Sequence, residues 1–463
     1  MVTASTPSGS YLEVFDEFRN LTFGQDPVWS RNLREDAMAI FCESGFPTTR
    51  DEDWRFTNVA SLAKTNFHRA VKDEVSLSAQ DLEPYRLAGS GFELVFINGH
   101  FSPQFSTKEN LIPGVRVSSL AEAIRQYPER IESHLGRYVD TRRDAFAALN
   151  TAMFEDGAEI LIRRRAVVDR PIHILYVSAG SNRPIMIHPR NLIVAEPQSQ
   201  AAVVEDYVSF GEAAAFSNAV TELVAGDDAI ISHCMIEREN DSSSNISTLR
   251  IEQGRGSNVA SHSILLGGGL VRNNVHPVLA GRGAECLING LFIGGGRQHL
   301  DNYMLVEHVS PNCSSRQFYN GILDDQAHGV FHGRIIVHKD AQKTDAKQTN
   351  RNLLLSDDAR IDTKPQLEIH ADDVKCTHGA TIGQIDEDAL FYLRSRGFSA
   401  ISARRLLLYA FSRECLDRID QTPVRNITES LIQQRLVDIA PATRYHAEPI
   451  SQEQSLQNLE EVG

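Results

Sequence analysis

Cys376 and His378 are the side chains in this sequence whose types and spacing best suit metal chemistry. They stand two residues apart, so a strand would place them on the same face, with α-carbons about 6–7 Å apart. Thiolate and imidazole are side chains that hold iron in clusters. Two ligands are too few for a closed site, so the pair predicts half of a site, or a transient site that another chain completes. A half-buried strand pair with a hydrogen-bonded histidine is the alternative, and spacing alone favours it.

A second set of candidate ligands is His328, His332 and His338. Their even numbering would place them on one face of an unbroken strand. Gly329 and Gly333 argue against an unbroken strand, because glycine weakens strands. Structural histidines are therefore favoured over a metal site here.

Six acidic residues leave room for a different function, a self-contained polysaccharide lyase or carbohydrate-binding protein. They are Glu205, Asp206, Asp227, Asp228, Asp324 and Asp325. Most fall at predicted turns, where aspartate is favoured because it hydrogen-bonds its own backbone. Such an enzyme would also fit a secretory signal, whereas the first ten residues lack a charged start followed by an apolar stretch. The lyase is thus the less favoured hypothesis.

Two glycine runs, Gly267–Gly269 and Gly294–Gly296, could be mistaken for phosphate loops. A P-loop needs GxxxxGK[ST], which this sequence does not contain, and a dinucleotide site needs GxGxxG before a helix. Strand-like residues follow both runs, so turns of a repeat explain them better. We expect no nucleotide site and no ATP hydrolysis by this chain.

Composition narrows the class of protein. A chain of 463 residues predicts two or three domains, and 41% hydrophobic residues is ordinary for a globular protein. The net charge of −15 disfavours general nucleic-acid binding, which needs basic surface. The six scattered cysteines form no CxxC pair and indicate reduced thiols in a cytoplasmic protein. No apolar run reaches 18 residues, so membrane insertion is not expected.

The texture of the sequence divides the chain into three regions. Residues 1–90 show helical spacing, as in Leu12, Phe15 and Phe18 and along the segment 32–42. Residues 91–384 consist of short apolar strands, starting with 92–97 and a turn at Asn98-Gly99, with a helical insertion at 119–154. Residues 385–463 are helical again, and the last residues, beyond Glu448, look disordered.

The middle region contains a repeat. His262-Ser-Ile-Leu-Leu-Gly-Gly-Gly and Asn289-Gly-Leu-Phe-Ile-Gly-Gly-Gly lie 27 residues apart (289 − 262), and weaker copies start at His233, Asn320, His332 and His378. A period in this range indicates a stacked solenoid. The repeats are strand-length and leave no room for a helix, which predicts a parallel β-helix. The strict hexapeptide of left-handed forms is absent, so the fold class expected is mainly β, a right-handed parallel β-helix flanked by helical regions.

The carboxy-terminal region is a candidate for partner binding. An apolar stretch, 389–393, precedes Gly397, a plausible helix terminator, and Ser399 could cap a second helix. A third helix is expected to start near Thr428. The alternative is a helical lid that closes the end of the solenoid, and both roles can coexist.

Residues 353–397 carry a specific resemblance. The segment from Leu353 to Gly383, with Pro365-Gln-Leu-Glu-Ile and Lys375-Cys-Thr-His-Gly-Ala-Thr, resembles the SufB/SufD family of iron–sulfur cluster assembly proteins. The segment 386–397 continues the likeness, and Asp53-Trp-Arg-Phe-Thr resembles the family's entry to its core. The resemblance implies a right-handed parallel β-helix in a non-hydrolysing scaffold subunit.

The family's SufB branch carries a cysteine, thought to receive sulfur, a few residues before the Pro365 segment. Ala359 stands there in this sequence and offers no thiolate, so the resemblance is to the SufD branch. That branch implies pairing with a SufB-like chain and docking of a SufC-like ABC-type ATPase on the carboxy-terminal helices. It also implies a transient iron–sulfur cluster shared with the partner. His378 matches a histidine implicated in building that cluster, Cys376 is a weaker candidate, and no residue is expected to be catalytic. A homodimer, and a purely structural organiser without a ligand, remain alternatives.

Overall fold

The computed structural model describes residues 9–24, 26–71, 76–107, 113–180, 183–212 and 214–439. The expected polar start and the disorder expected beyond Glu448 lie outside these residues. The division into three regions stays a prediction, and the secondary structure follows.

The amino-terminal region is helical, as its apolar spacing predicts. It contains α1 (Gly9–Thr22), α2 (Val28–Ser44), α3 (Ala60–Lys64), α4 (Ala79–Leu82), strand β1 (His68–Arg69) and 3₁₀ turns at Glu52–Trp54 and Glu83–Tyr85. Phe15 and Phe18 are buried in α1, but Leu12 is exposed, so its place in the apolar face was wrong. Tyr11 takes the buried position instead and donates its hydroxyl to the carbonyl of Leu62.

A hairpin opens the β region. Strand β2 (Phe92–Ile97) has the predicted bounds and pairs antiparallel with β3 (His100–Phe101). Asn98 and Gly99 have φ of 53° and 79°. A tight hairpin turn needs this positive φ, and asparagine and glycine tolerate it best. Strand β4 (Val115–Ser119) follows, and then α5 (Leu120–Gln126), α6 (Pro128–Glu132) and α7 (Ala145–Met153) lie in the segment where helices were expected.

The remaining strands build the solenoid. They are β5 (Ala158–Ile162), β6 (Ile172–Ala179), β7 (Ile185–Ile187), β8 (Arg190–Ala195), β9 (Gln200–Phe210), β10 (Ala215–Ala225), β11 (Ile230–Arg238), β12 (Ser244–Gln253), β13 (Asn258–Leu265), β14 (Leu270–Leu279), β15 (Glu285–Gly294), β16 (His299–His308), β17 (Ser314–Leu323), β18 (His328–Val337), β19 (Thr344–Leu354), β20 (Arg360–Ile369) and β21 (Val374–Gly383).

Successive strands alternate between two sheets. The even sheet runs β20-β18-β16-β14-β12-β10-β8-β5-β4, and the odd sheet runs β21-β19-β17-β15-β13-β11-β9-β6-β2-β3. From β8 onward each strand pairs in parallel with the strand two further along the chain. The result is a parallel β-solenoid of about seven turns, which confirms the predicted fold class, while its right-handed sense stays a prediction.

The register confirms the strong repeat and corrects the weak ones. His262 lies directly beside Asn289, as the 27-residue offset predicts. His262 pairs on its other side with Cys234 rather than His233, and Asn289 pairs with Phe318 rather than Asn320. The weak copies miss by one or two residues because successive turns of the solenoid differ in length.

The glycine runs lie at corners of the solenoid. Gly268 and Gly296 have φ of 71° and 59°, and each run leads from one strand to the next, β13 to β14 and β15 to β16. Neither run opens a helix, so the predicted role as turns of the repeat holds.

Three carboxy-terminal helices follow the solenoid: α8 (Glu387–Ser395), α9 (Ala400–Leu416) and α10 (Thr422–Ile439). Ser399 caps α9, with its hydroxyl accepting from the backbone N–H of Ser402, and Gly397 has the predicted positive φ. The predicted start of α10 near Thr428 was wrong by one and a half turns. Pro423 stands in its first turn, where its missing N–H costs nothing.

These helices are not a lid on the end of the solenoid. They pack on the outer face of the odd sheet, where Asn289 and Asn320 donate to the carbonyls of Cys415 and Phe411. The outward side chains of that sheet are apolar there, as at Leu291 and Ile322, and must be covered. The far end of the solenoid is left open by the described helices. No helix in the described part of the chain is long and apolar enough to cross a membrane.

Burial makes His188 a measurable source of pH dependence. Its ring is fully buried, which lowers its pKa to about 3, and its Nδ1 lies 3.2 Å from Nδ2 of Asn218. Below its ordinary pKa of 6.5, the unfolded chain binds a proton that the folded chain refuses, so stability falls as pH falls. Between pH 7 and pH 5 this one group should remove about 2 kcal/mol.

The measurement is urea unfolding of the wild type and His188→Asn at both pH values. Asparagine keeps an acceptor for Asn218 but does not titrate, so its loss of stability should be shallower by that amount. Parallel losses in the two proteins would contradict the assignment.

Candidate functional site

The last turn of the solenoid, β20 and β21, is here called the terminal coil. β20 pairs only with β18 and β21 only with β19, so each has one edge without a strand partner in the described residues. Most side chains of β20 are half-buried and most of β21 are exposed, unlike those of preceding turns. Unpaired strand edges are templates for pairing with another chain.

Cys376 and His378 lie on β21 and share a face, as their spacing predicts. That face is the interior side of the solenoid, because their register partners on β19 are the buried Ala346 and Gln348. Cys376 is half-buried against the core, and burial raises the pKa of its thiol. His378 is exposed and its ring has no hydrogen-bond partner in the described structure. The imidazole is thus free to bind a ligand, whereas the thiol must first lose a proton.

The pair stays a half-site. Within the described residues, no group of three or more histidine, cysteine or acidic side chains is arranged to hold a metal ion. The histidines set aside as structural have their own partners. His328 lies 2.8 Å from Asp362, His332 lies 2.9 Å from Gln366, and His338 lies 3.1 Å from Glu307.

The acidic residues divide into two groups. Asp227, Asp228, Asp324 and Asp325 lie at corners, as predicted, but Glu205 and Asp206 are buried in β9, so their placement at a turn was wrong. Glu205 accepts from Thr221 and Tyr207 and lies 3.0 Å from His233. Burial alone would raise the pKa of Glu205, and these partners together lower it.

A cleft of about 250 Å³ lies on the outer face of the even sheet, and its position was missed from the sequence. Four arginines and four acids line it with Trp54 and Tyr303: Arg143, Arg250, Arg272, Arg334, Asp53, Asp140, Asp144 and Glu307. Most are paired, such as Arg272 with Asp301 at 2.5 Å. These residues come from segments far apart in the chain, so no local pattern could have found the cleft.

The carboxy-terminal apolar patch consists of Phe391, Tyr392, Phe398 and Leu406. These side chains are strongly exposed, Phe391 at 73% and Tyr392 at 56%. Phe391 and Tyr392 belong to the apolar stretch that the sequence singled out. Large exposed aromatic side chains of this kind mark sites of interaction with other proteins.

Comparison with known proteins gives two family matches that together span most of the chain. Residues 5–174 match the SufBD protein N-terminal region, and residues 176–411 match the SufBD core domain of SUF-system FeS cluster assembly. An iron–sulfur cluster assembly SufBD family protein of Synechocystis is 35% identical over 84% of this chain and 87% of its own. The SufD proteins of Escherichia coli and Bacillus subtilis are 30% and 26% identical, over 85% and 91% of this chain and 90% and 95% of theirs.

Proposed function

This chain belongs to the SufBD family of iron–sulfur cluster assembly proteins, and on that premise we propose that it is a SufD-like scaffold subunit. It pairs with a SufB-like chain, docks a SufC-like ATPase and hydrolyses no nucleotide itself. The observation that carries the proposal is the terminal coil, which is open and presents Cys376 and His378 beside unpaired strand edges.

The partner at the terminal coil is a SufB-like chain. Strand edges that pair with a second solenoid would continue both sheets and satisfy the exposed backbone groups. The partner would add the donors that the half-site needs, and the cluster built there is transient cargo of the complex. His378 is the main ligand from this chain and Cys376 the lesser one. A second copy of this chain could use the same edges when no SufB-like chain is present.

The ATPase docks on the carboxy-terminal apolar patch. Its hydrolysis cycle would favour different positions of α8–α10, since a ligand shifts an equilibrium only through its different affinity for the two states. The path from these helices to the cluster site is short. Glu414 on α9 binds Arg351 on β19 at 2.9 Å, and β19 pairs with β21. Movement of α9 would therefore act on the strand beside His378 and open the interface.

The proposed setting is the cytoplasm, with neither nucleic acid nor membrane as a partner. Reduced cysteines and a net charge of −15 support it. The six thiols are free, and four of them are buried.

The double variant Phe391→Ala, Tyr392→Ala tests the docking surface. Central aromatic side chains of an interface commonly contribute about 2 kcal/mol or more, so we expect ATPase affinity to fall roughly 30-fold. Binding of the SufB-like chain should be unchanged, because the terminal coil lies elsewhere. The measurement is co-purification followed by titration calorimetry of the purified chains.

Val28→Ala is the matched control, since Val28 is an exposed apolar residue on α2. It should leave both affinities unchanged. Full ATPase binding by the double variant would place the docking surface elsewhere. A wild-type chain that never co-purifies with either partner would overturn the proposed function as a whole.

The cleft on the even sheet gives one reason to retain a second function. A carbohydrate-binding or lyase β-helix would present acids, arginines and aromatic rings in such a groove, as this chain does. Pairing among most of those charges speaks for a structural role. A polysaccharide cleavage and binding screen on the purified chain decides between them, and activity without partners would support the enzyme.

A further inference from the structure

The interior of the solenoid becomes polar just beneath the terminal coil. Gln348 on β19 and Gln317 on β17 are register partners, and both are almost completely buried. Nε2 of Gln348 donates to Oε1 of Gln317 at 2.6 Å. Oε1 of Gln348 and Nε2 of Gln317 have no hydrogen-bond partner among the described residues. An unpaired buried polar atom typically costs about 1–3 kcal/mol, so Gln348 is expensive to keep if its only role is to fill space.

The opposite wall leaves room for this pair. Gly333 on β18 faces the two carboxamides, and a Cβ there would lie 1.8 Å from Nε2 of Gln348. The same Cβ would lie 3.1 Å from Oε1 of Gln317. The space for Gln348 therefore depends on a residue without a side chain in the other sheet.

His378 is the register partner of Gln348 on the open side. Side chains in register on adjacent parallel strands stand about 4.7–4.9 Å apart on the same face. The imidazole thus stands over the buried carboxamide. Beneath Cys376 the register partner is Ala346, which offers no polar group. The two donors of the half-site differ in this respect, and only the histidine has a potential acceptor below it.

We propose that Gln348 is a positioning residue for His378, in an inference that rests on the proposed function. Its unpaired Oε1 accepts the N–H of one ring nitrogen. This bond holds a single tautomer and directs the other nitrogen, with its lone pair, toward the open end. Ligand histidines commonly have such a second partner, which fixes the ring and its basicity. Gln317 in turn holds Nε2 of Gln348, so that Oε1 remains the free atom of the carboxamide.

The test compares Gln348→Leu with Gln253→Leu. Gln253, on β12, is also a buried strand glutamine with an unpaired Oε1, and it is far along the chain from the terminal coil. Full-length protein labelled with ¹⁵N at histidine reports the tautomer of His378 by NMR, with His378→Ala assigning its signals. We expect one tautomer in the wild type and in Gln253→Leu, and a mixture in Gln348→Leu. In the complex, iron affinity should fall roughly 10–100-fold in Gln348→Leu alone.

An unchanged His378 tautomer in Gln348→Leu overturns this inference even if His378 is essential for cluster loading. Equal losses in Gln348→Leu and Gln253→Leu overturn it too, since they would reflect general destabilisation. Gln348→Glu restores an acceptor and should restore the single tautomer. Normal cluster loading by His378→Ala would instead overturn the site in the proposed function, whatever the tautomer data show.

Discussion

The His378→Ala variant should assemble with SufB- and SufC-like partners in normal amounts and load no detectable cluster. The imidazole is exposed and unpaired within the described chain, so its loss should change the stability of the subunit by no more than about 0.5 kcal/mol. The half-site has only two donors, and removing its main ligand leaves a single thiol whose pKa is raised by burial. The measurement is iron and sulfide content of the co-purified complex, with visible absorbance.

His370→Ala is the matched control, because His370 is another exposed histidine of the terminal coil, between β20 and β21. It should load normally. Cys376→Ala should lose less than His378→Ala, since the buried thiol resists ionisation. Normal loading by His378→Ala would show the site assignment to be wrong, and normal loading after replacement of both residues would favour a purely structural organiser.

Arg190→Met should produce the largest loss of stability. Arg190 and Glu222 are both 0% exposed and bind each other at 2.5 Å. Nη1 of the same guanidinium donates to Asn150 and Thr151 of α7, and Glu222 accepts the backbone N–H of Gly136. The pair therefore fastens the helical segment to β8 and β10. Removing one partner of a buried pair leaves an uncompensated charge and costs about 3–5 kcal/mol.

Urea unfolding measures this loss against two other variants. Arg255→Met removes an arginine that is 61% exposed from its contacts with Asp227 and Asp228, and should cost at most about 1 kcal/mol. The double variant Arg190→Met, Glu222→Gln removes both charges and should recover part of the loss. A cost for Arg190→Met no larger than that for Arg255→Met would contradict the role of the pair.

Sequence periodicity predicted the fold class because a solenoid repeats a local pattern. The strand 92–97, the hairpin turn at Asn98 and the register of His262 with Asn289 all follow from alternation and turn chemistry. Errors arose where length was decisive. Turns of the solenoid differ by one or two residues, and α10 begins before its apolar pattern becomes clear.

The candidate site was predicted in part. Spacing placed Cys376 and His378 on one face, and the structure agrees, although it leaves their chemical role as a proposal. Gln348 was missed because it precedes His378 by 30 residues in the sequence, and only the register of β19 with β21 brings the two positions together. One signal was present: Gln317 and Gln348 lie one turn apart, at an offset of 31.

The amino-acid sequence by itself determined the solenoid class, the lack of a phosphate-loop motif, Ala359 in place of a cysteine, and the shared face of Cys376 and His378. These are properties of residue type and short-range spacing, which need no knowledge of long-range contacts. The tertiary structure alone decided that the carboxy-terminal helices cover the side of the odd sheet and that the terminal coil stays open. It also decided that the buried Gln348 lies beneath His378. Such features depend on the number of residues in each turn and on which apolar surface the helices bury, and distant parts of the chain set both.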